Sequence, residues 1–209
     1  HLSIRRQRQM CIRDRSRCSA LQTLNGLQGM PLEELTLHHV GLSGDLSGLR
    51  GTRLRRLDWY TTGGGGLTSL NGIQGLPLTG LDLGSCTRLT SLKELQQLPM
   101  LKALTLPCDS VRGDLSGFRA LGLKLAVLRF SSQYVTSLSG IEGMELEEVS
   151  LRCPKLRKQD YLPLTRIPTL VIVDTADKVL DDEILAACRK LREKSGSGRQ
   201  MKPSTYLGR

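Results

Sequence analysis

Leucines recur along this chain at intervals that neither a regular helix nor an isolated strand explains. Leu67-Thr-Ser-Leu70-Asn-Gly-Ile73-Gln-Gly-Leu76-Pro-Leu78 matches Leu21-Gln-Thr-Leu24-Asn-Gly-Leu27-Gln-Gly-Met30-Pro-Leu32, and again Val135-Thr-Ser-Leu138-Ser-Gly-Ile141-Glu-Gly-Met144-Glu-Leu146. After each comes an apolar triple spaced three and then two residues apart. The triples are Leu32/Leu35/Leu37, Leu54/Leu57/Trp59, Leu78/Leu81/Leu83, Leu101/Leu104/Leu106, Leu125/Leu128/Phe130, Leu146/Val149/Leu151 and, more weakly, Ile167/Leu170/Ile172. Their starts lie 22, 24, 23, 24, 21 and 21 residues apart. A fixed period of this length marks a repeat architecture, in which one short unit buries its apolar side only against its neighbours.

Each half of the unit predicts an element. The pair spaced by two belongs on a strand, because alternate strand side chains face opposite ways. Short parallel strands are therefore expected at 35–37, 57–59, 81–83, 104–106, 128–130 and 149–151. The other half carries leucines every three residues, as in Leu89, Leu92, Leu95 and Leu98, a spacing that suits 3₁₀ turns better than a full α-helix. Leu180, Ile184, Cys188 and Leu191 fall on one face of an amphipathic helix. Asp174 or Thr175 could cap it, with acids in its early turn and Arg189, Lys190 and Arg192 near its end.

Here the pattern resembles a known family. Leu78-x-x-Leu81-x-Leu83-x-x-Cys86-x-x-Leu89-x-x-Leu92-x-x-Leu95-x-x-Leu98 is similar to the short leucine-rich repeats of bacterial internalins and of phosphatase-regulatory proteins. The Gly-Met-Pro-Leu and Gly-Leu-Pro-Leu elements resemble repeats in large planctomycete proteins, some of which carry kinase domains. The resemblance spans about residues 21–174. It implies an α/β fold: a right-handed leucine-rich-repeat solenoid with a parallel concave sheet and a 3₁₀ or irregular convex side. The expected organisation is a non-native or disordered segment over 1–15, a solenoid of about seven units over 16–174, a C-terminal capping helix over 175–194 and a disordered tail over 195–209. The chain departs from the family at the Asn/Cys position after the strand, which holds Val40, Thr62, Cys86, Asp109, Gln133 and Pro154. A continuous asparagine ladder is thus absent.

Composition agrees with a small unit used repeatedly: 41 of 209 residues are leucine and only 3% are aromatic. The net charge of +10 sits at the ends. Residues 1–15 carry five Arg and one Asp, residues 189–209 carry seven Lys or Arg and one Glu, and the charges between them balance. A nucleic-acid-binding fold holds its positive charge on a structured face, so nucleic acid is not the expected partner. No apolar run has the ~18 residues of a membrane span.

Candidate chemistry is sparse. The six cysteines include no C-x-x-C pair, and no histidine stands at zinc-site spacing. His38 and His39 point to opposite sides of a strand, and Gly63–Gly66 is not followed by Lys-Ser/Thr as a phosphate loop requires. Neither a cofactor nor an enzyme activity is expected. Isolated thiols and the lack of an Asn-x-Ser/Thr site point toward the cytoplasm.

What remains is the outward face of the strands. Its central column reads Thr36, Asp58, Asp82, Thr105, Arg129, Ser150 and Val171, and its next column His38, Tyr60, Gly84, Pro107, Ser131, Arg152 and Val173. Most are ordinary solvated strand positions. Asp58, Tyr60, Asp82, Thr105, Arg129 and Arg152 are the candidate partner-binding residues, Tyr and Arg being enriched among interface hot spots. The acids lie toward one end and the arginines toward the other. The expected function is a scaffold that holds a protein or peptide on this concave face. The alternative, carried by the family resemblance, is a regulatory or sensor segment of a larger enzyme such as a protein kinase.

Residues 1–15 lack the leucine spacing. Met10-Cys11-Ile12-Arg13-Asp14-Arg15 resembles a one-frame translation of the transposon-end adapter used in sequencing libraries. On that reading the chain comes from an assembled environmental read and its true N-terminus is lost. The other reading is a natural basic arm. Deleting residues 1–15 is expected to leave the melting temperature unchanged; a large drop would make the segment a genuine N-terminal cap.

Overall fold

A computed structural model describes residues 23–38, 43–60, 66–84, 86, 88–107, 111–175, 184 and 186. The described residues hold nine strands in chain order: β1 (Glu34–His38), β2 (Ser43–Gly44), β3 (Arg56–Tyr60), β4 (Gly66–Leu67), β5 (Gly80–Asp82), β6 (Ala103–Pro107), β7 (Val127–Ser131), β8 (Glu148–Arg152) and β9 (Ile172–Thr175). Seven of them form a sheet in the order β1-β3-β5-β6-β7-β8-β9, every neighbouring pair parallel. β2 and β4 pair separately. Between strands the chain makes short helical turns: 3₁₀ segments at Asn25–Leu27, Ser47–Leu49, Lys93–Gln97 and Lys158–Arg166, and one short α-helix, α1 (Ser116–Ala120). Parallel strands cannot be joined by a tight hairpin, so each unit must return along the other side of the core.

The register confirms that equivalent leucines stack. Leu35 faces Leu57, Leu57 faces Leu81, Leu81 faces Leu104, Leu104 faces Leu128 and Leu128 faces Val149. The six expected strands are found within about a residue of their bounds. β5 ends at Asp82, yet Leu83 stays fully buried and its N–H still donates to the Thr105 carbonyl at 2.9 Å. Leu89, Leu95 and Leu98 are buried on the helical-turn side, and Leu92 is partly so. Leu81, Leu83, Leu104 and Leu106 are at most 2% exposed.

The seventh unit corrects the sequence reading by three residues. Val173, not Leu170, pairs with Val149, and Asp174 pairs with Ser150. The inward places are therefore taken by Leu170 and Val173, the first of them 24 residues after Leu146. Val173 turns inward and is buried, so neither it nor Val171 belongs to the outward columns where they were expected. The extra length is taken up by the nine-residue 3₁₀ segment Lys158–Arg166. Its Tyr161 and Leu164, with Ile167 beyond it, are core residues of the returning half. Of the capping helix expected over 175–194, only Ile184 and Ala186 lie among the described residues beyond Thr175; both are helical, and Ile184 is buried with the core. The segments 1–15 and 195–209 lie outside the described residues.

The position after the strand is corrected as well. Cys86 is buried where the pattern put it, but after β7 and β8 the buried small residue comes one place early: Ser132 and Cys153 are buried, while Gln133 and Pro154 are exposed; Val40, Thr62 and Asp109 lie outside the described residues. The Ser132 hydroxyl donates to the Val111 carbonyl at 3.1 Å and accepts from the Tyr134 N–H at 3.1 Å.

A different side-chain series does regular work at the helical turns. Thr23, Asp45, Ser69, Ser91, Asp114 and Ser137 each accept a hydrogen bond from the backbone N–H two residues on, at 3.0 to 3.2 Å. They satisfy a donor that the start of a helical turn otherwise leaves open. The Ser47 backbone bond, then the Asn71 amide, hold the Asp45 carboxyl below its ordinary value; the Ser116 hydroxyl and backbone do the same for Asp114. With the folded value depressed, the stability these carboxylates add is complete above the unfolded value, about 4, and is lost as pH falls through the folded one.

Glycine permits the units to approach here. A Cβ on Gly72 would run into the Leu46 backbone carbonyl, and its φ of +110° is one that L side chains rarely adopt. Glu94 stands at the equivalent place in the following unit, buried, with Oε2 lacking a hydrogen-bond partner among the described residues. Gly72→Ala is expected to cost about 3 kcal/mol or more, joining backbone strain to a clash. Gly75→Ala, at φ +72° with open space around it, should cost only about 1–2 kcal/mol. Equal losses by chemical denaturation would contradict the close approach at Gly72.

Candidate functional site

Alternation along each strand gives the sheet an outward face of three columns, of which the sequence reading used two. The central column is Thr36, Asp58, Asp82, Thr105, Arg129 and Ser150. On one side stand His38 and Tyr60, then Ser131 and Arg152; the backbone of Pro107 pairs with Ser131 in register. On the other side is the column passed over: Glu34, Arg56, Gly80, Ala103, Val127 and Glu148. The signal for it was available, since a residue two before Asp58 or two before Ser150 must share its face.

Three of the six candidates come together. The Tyr60 hydroxyl donates to Asp82 Oδ2 at 2.8 Å, and the Gly84 N–H donates to Asp82 Oδ1 at 2.9 Å. The Tyr60 ring stacks on His38, centroids 5.2 Å apart and planes 13° from parallel. Its other neighbour is Gly84, where an added Cβ would meet two ring carbons at 3.0 Å. The phenol is thus held by a stack, a hydrogen bond and a missing side chain. Burial first, then the hydrogen bond and the charge of Asp82, push the Tyr60 hydroxyl well above the usual phenol range. Asp58, one strand from Asp82 in the same column, adds to this.

The charges differ from a simple acidic section followed by a basic one. Arg56 Nε donates to both oxygens of Asp58, at 3.2 and 3.0 Å. That bond, then the charge of Asp58, holds the guanidinium more firmly protonated. Arg129 reaches Glu148 Oε1 through Nε at 3.1 Å and Nη2 at 2.7 Å. Asp58 and Arg129 are therefore each offset by a residue of the third column. Asp82 is different, because among the described residues both donors on its carboxylate are neutral. Thr105 is partly buried between Asp82 and Arg129 in the central column, while Arg152 is exposed at the end of β8, away from the tyrosine cluster.

Among the described residues, no three His, Cys, Asp or Glu side chains form a group that could hold a metal ion. No helix of the described residues is long and apolar enough to cross a membrane. The side chains of Cys86 and Cys153 are buried.

A parallel sheet built from stacked apolar triples, backed by short helical turns, defines a leucine-rich-repeat-like α/β fold. Among solved structures, an internalin from Listeria monocytogenes is similar, with a TM-score of 0.61 and 18% identity. The match covers 81% of this chain and 49% of the internalin, so the chain spans about half that protein's length. At this identity the likeness is one of fold. No protein-family model matches the chain, and no curated protein matches it in sequence.

The clamp on Tyr60 predicts its titration. Because the folded value is raised above the unfolded one, about 10, the fold favours the neutral phenol; that stabilisation is complete below pH ~10 and is lost as pH rises through the folded value. Tyrosinate absorbance, taken as wild type minus Tyr60→Phe, should show Tyr60 ionising well above the free phenol. Asp82→Asn should lower its midpoint without restoring the ordinary value, since burial persists. An ordinary midpoint in the wild type would mean that the hydroxyl is solvated.

Proposed function

We infer that the chain is a non-catalytic protein-interaction scaffold: a right-handed leucine-rich-repeat solenoid, closed by a helix within 175–194, that binds a polypeptide across the concave face of its sheet. Right-handed return of the chain is the strong rule for parallel strands joined through a crossover. The buried, helical Ile184 supports a cap beyond β9. A curved repeat array offers an extended surface.

The observation that carries this reading is the held tyrosine. Tyr60 is a partly buried aromatic on the sheet face with its ring and hydroxyl both fixed. Little conformational freedom is left for it to lose on binding, which favours affinity, and tyrosine is a frequent hot spot. Asp82 supplies a charge beside it that its own contacts do not neutralise, suited to a basic group of the partner. Asp58, Thr105, Arg129 and Arg152 complete the proposed surface. The Arg56–Asp58 and Arg129–Glu148 pairs act on orientation and specificity more than on strength, as exposed charges do.

With a partner identified by affinity capture, Tyr60→Ala and Asp82→Arg are each expected to weaken binding about tenfold or more. Arg129→Glu should weaken it less, and Lys93→Glu, on a helical turn at the opposite side of the core, should leave it unchanged. Loss with Lys93→Glu alone, the sheet-face variants binding normally, would place the interface on the other side.

A further inference from the structure

A second cluster lies off the sheet face, on the loops that leave the ends of β6, β7 and β8. Tyr134 is 37% exposed and stands three residues beyond β7. Its backbone is fixed on both sides. The N–H donates to the buried Ser132 hydroxyl at 3.1 Å, and the carbonyl accepts from the Gly113 N–H at 3.1 Å. Two cations gather on the ring. The Arg112 guanidinium carbon is 4.4 Å from its centroid and Lys155 Nζ is 5.4 Å from it. They come from the preceding and the following unit, since Gly113 bridges to Val135 and β7 pairs with β8. Arg152 and Arg157, both exposed, lie within three residues of Lys155.

Among the described residues, neither Arg112 nor Lys155 takes part in an ion pair. Arg56 and Arg129 on the sheet face each have a carboxylate, whereas these two share an aromatic ring. The ring attracts each cation through its quadrupole but cancels no charge, so both positive charges remain to be met. A guanidinium resting on a ring keeps the N–H groups in its own plane free for the bidentate geometry that a carboxylate matches. A pair of cations with no counter-charge among the described residues is complementary to two carboxylates.

We propose that Arg112, Tyr134 and Lys155 form a docking site for an acidic polypeptide segment, separate from the sheet face. The occupant is an extended segment bearing Asp or Glu, its carboxylates on Arg112 and Lys155 and its apolar atoms against the Tyr134 ring. The cations arise from units two strand steps apart, about 10 Å. Carboxylates two or three residues apart on an extended chain span about 7–10 Å and fit that interval. A nucleic acid would call for a longer basic track, and the charges of residues 16–188 balance.

The test is fluorescence anisotropy of a labelled ten-residue Glu-Ser alternating peptide with the full chain at low ionic strength. The peptide should bind, release as salt rises, and be ignored in its Lys-Ser form. Arg112→Ala and Lys155→Ala should each weaken binding about threefold, the scale of one exposed ion pair, and the double variant by more. Tyr134→Phe keeps the ring and should bind as wild type; Tyr134→Leu should weaken binding with the circular dichroism spectrum unchanged. Asp82→Arg, on the sheet face, should have no effect, which keeps this outcome distinct from that surface's. Failure of the peptide to bind, equal binding by the double variant, or capture of an oligonucleotide through these residues but not of the peptide would each overturn the proposal.

Discussion

Everything in this molecule depends on leucines of one repeat being covered by leucines of the next. The row Leu35, Leu57, Leu81, Leu104, Leu128 and Val149 runs through the sheet in register, and the companion row Leu37, Trp59, Leu83, Leu106, Phe130 and Leu151 lies beside it. Burying a leucine or valine side chain is worth about 1.5–3 kcal/mol, but a single unit leaves its flanks open to water. The stabilising quantity is therefore the contact between units, and stability is shared along the array. Larger rings in these rows must find their own space. Phe130 does so edge-to-face against Phe118 of α1, at 5.6 Å and 83°. Trp59 is fully buried, and its Nε1 has no hydrogen-bond partner among the described residues, a cost that leucine would not incur.

The strands satisfy one another's backbones, so the harder problem lies on the returning side. Short 3₁₀ segments leave donors open at their starts, and a regular series of Ser, Thr and Asp acceptors meets them, one per unit from Thr23 to Ser137. Close contact between units at Gly72 and Gly140 is possible because a Cβ there would strike the neighbouring backbone. The irregular side is thus held by local hydrogen bonds and tight approach, while the sheet side is held by register. Together they make the outward sheet face a rigid platform.

That rigidity gives the two surface clusters their character. Tyr60 and Tyr134 are both partly exposed aromatics with fixed backbones, but their surroundings are opposite in sign. Tyr60 is bonded to a carboxylate and stacked on His38; Tyr134 has two cations on its ring. One surface suits a basic group and the other an acidic one, the first on the sheet face of β1, β3 and β5 and the second on the loops that follow β6, β7 and β8. A charge that meets its opposite on the next strand, as Arg129 meets Glu148, has less left to offer a partner than its place in the sequence suggests.

The strands, the inward leucines and the central outward column were legible without coordinates, because a period of two within a period of 21 to 24 residues assigns each side chain to a face. Tyr60 and Asp82 could be named from that alone, though not that they are bonded, since two residues 22 apart meet only once strands are in register. Three things were decided by the tertiary structure. The seventh strand begins later than its leucines suggest, because Tyr161, Leu164 and Ile167 are taken by the core of the returning half and leave the inward place to Val173. The buried residue after the strand moves to Ser132 and Cys153 where the loops turn a place earlier. The cation pair over Tyr134 joins three units, and no interval within one unit encodes it. A repeat pattern specifies which way a residue faces; which residue it meets depends on how far each intervening loop carries the chain.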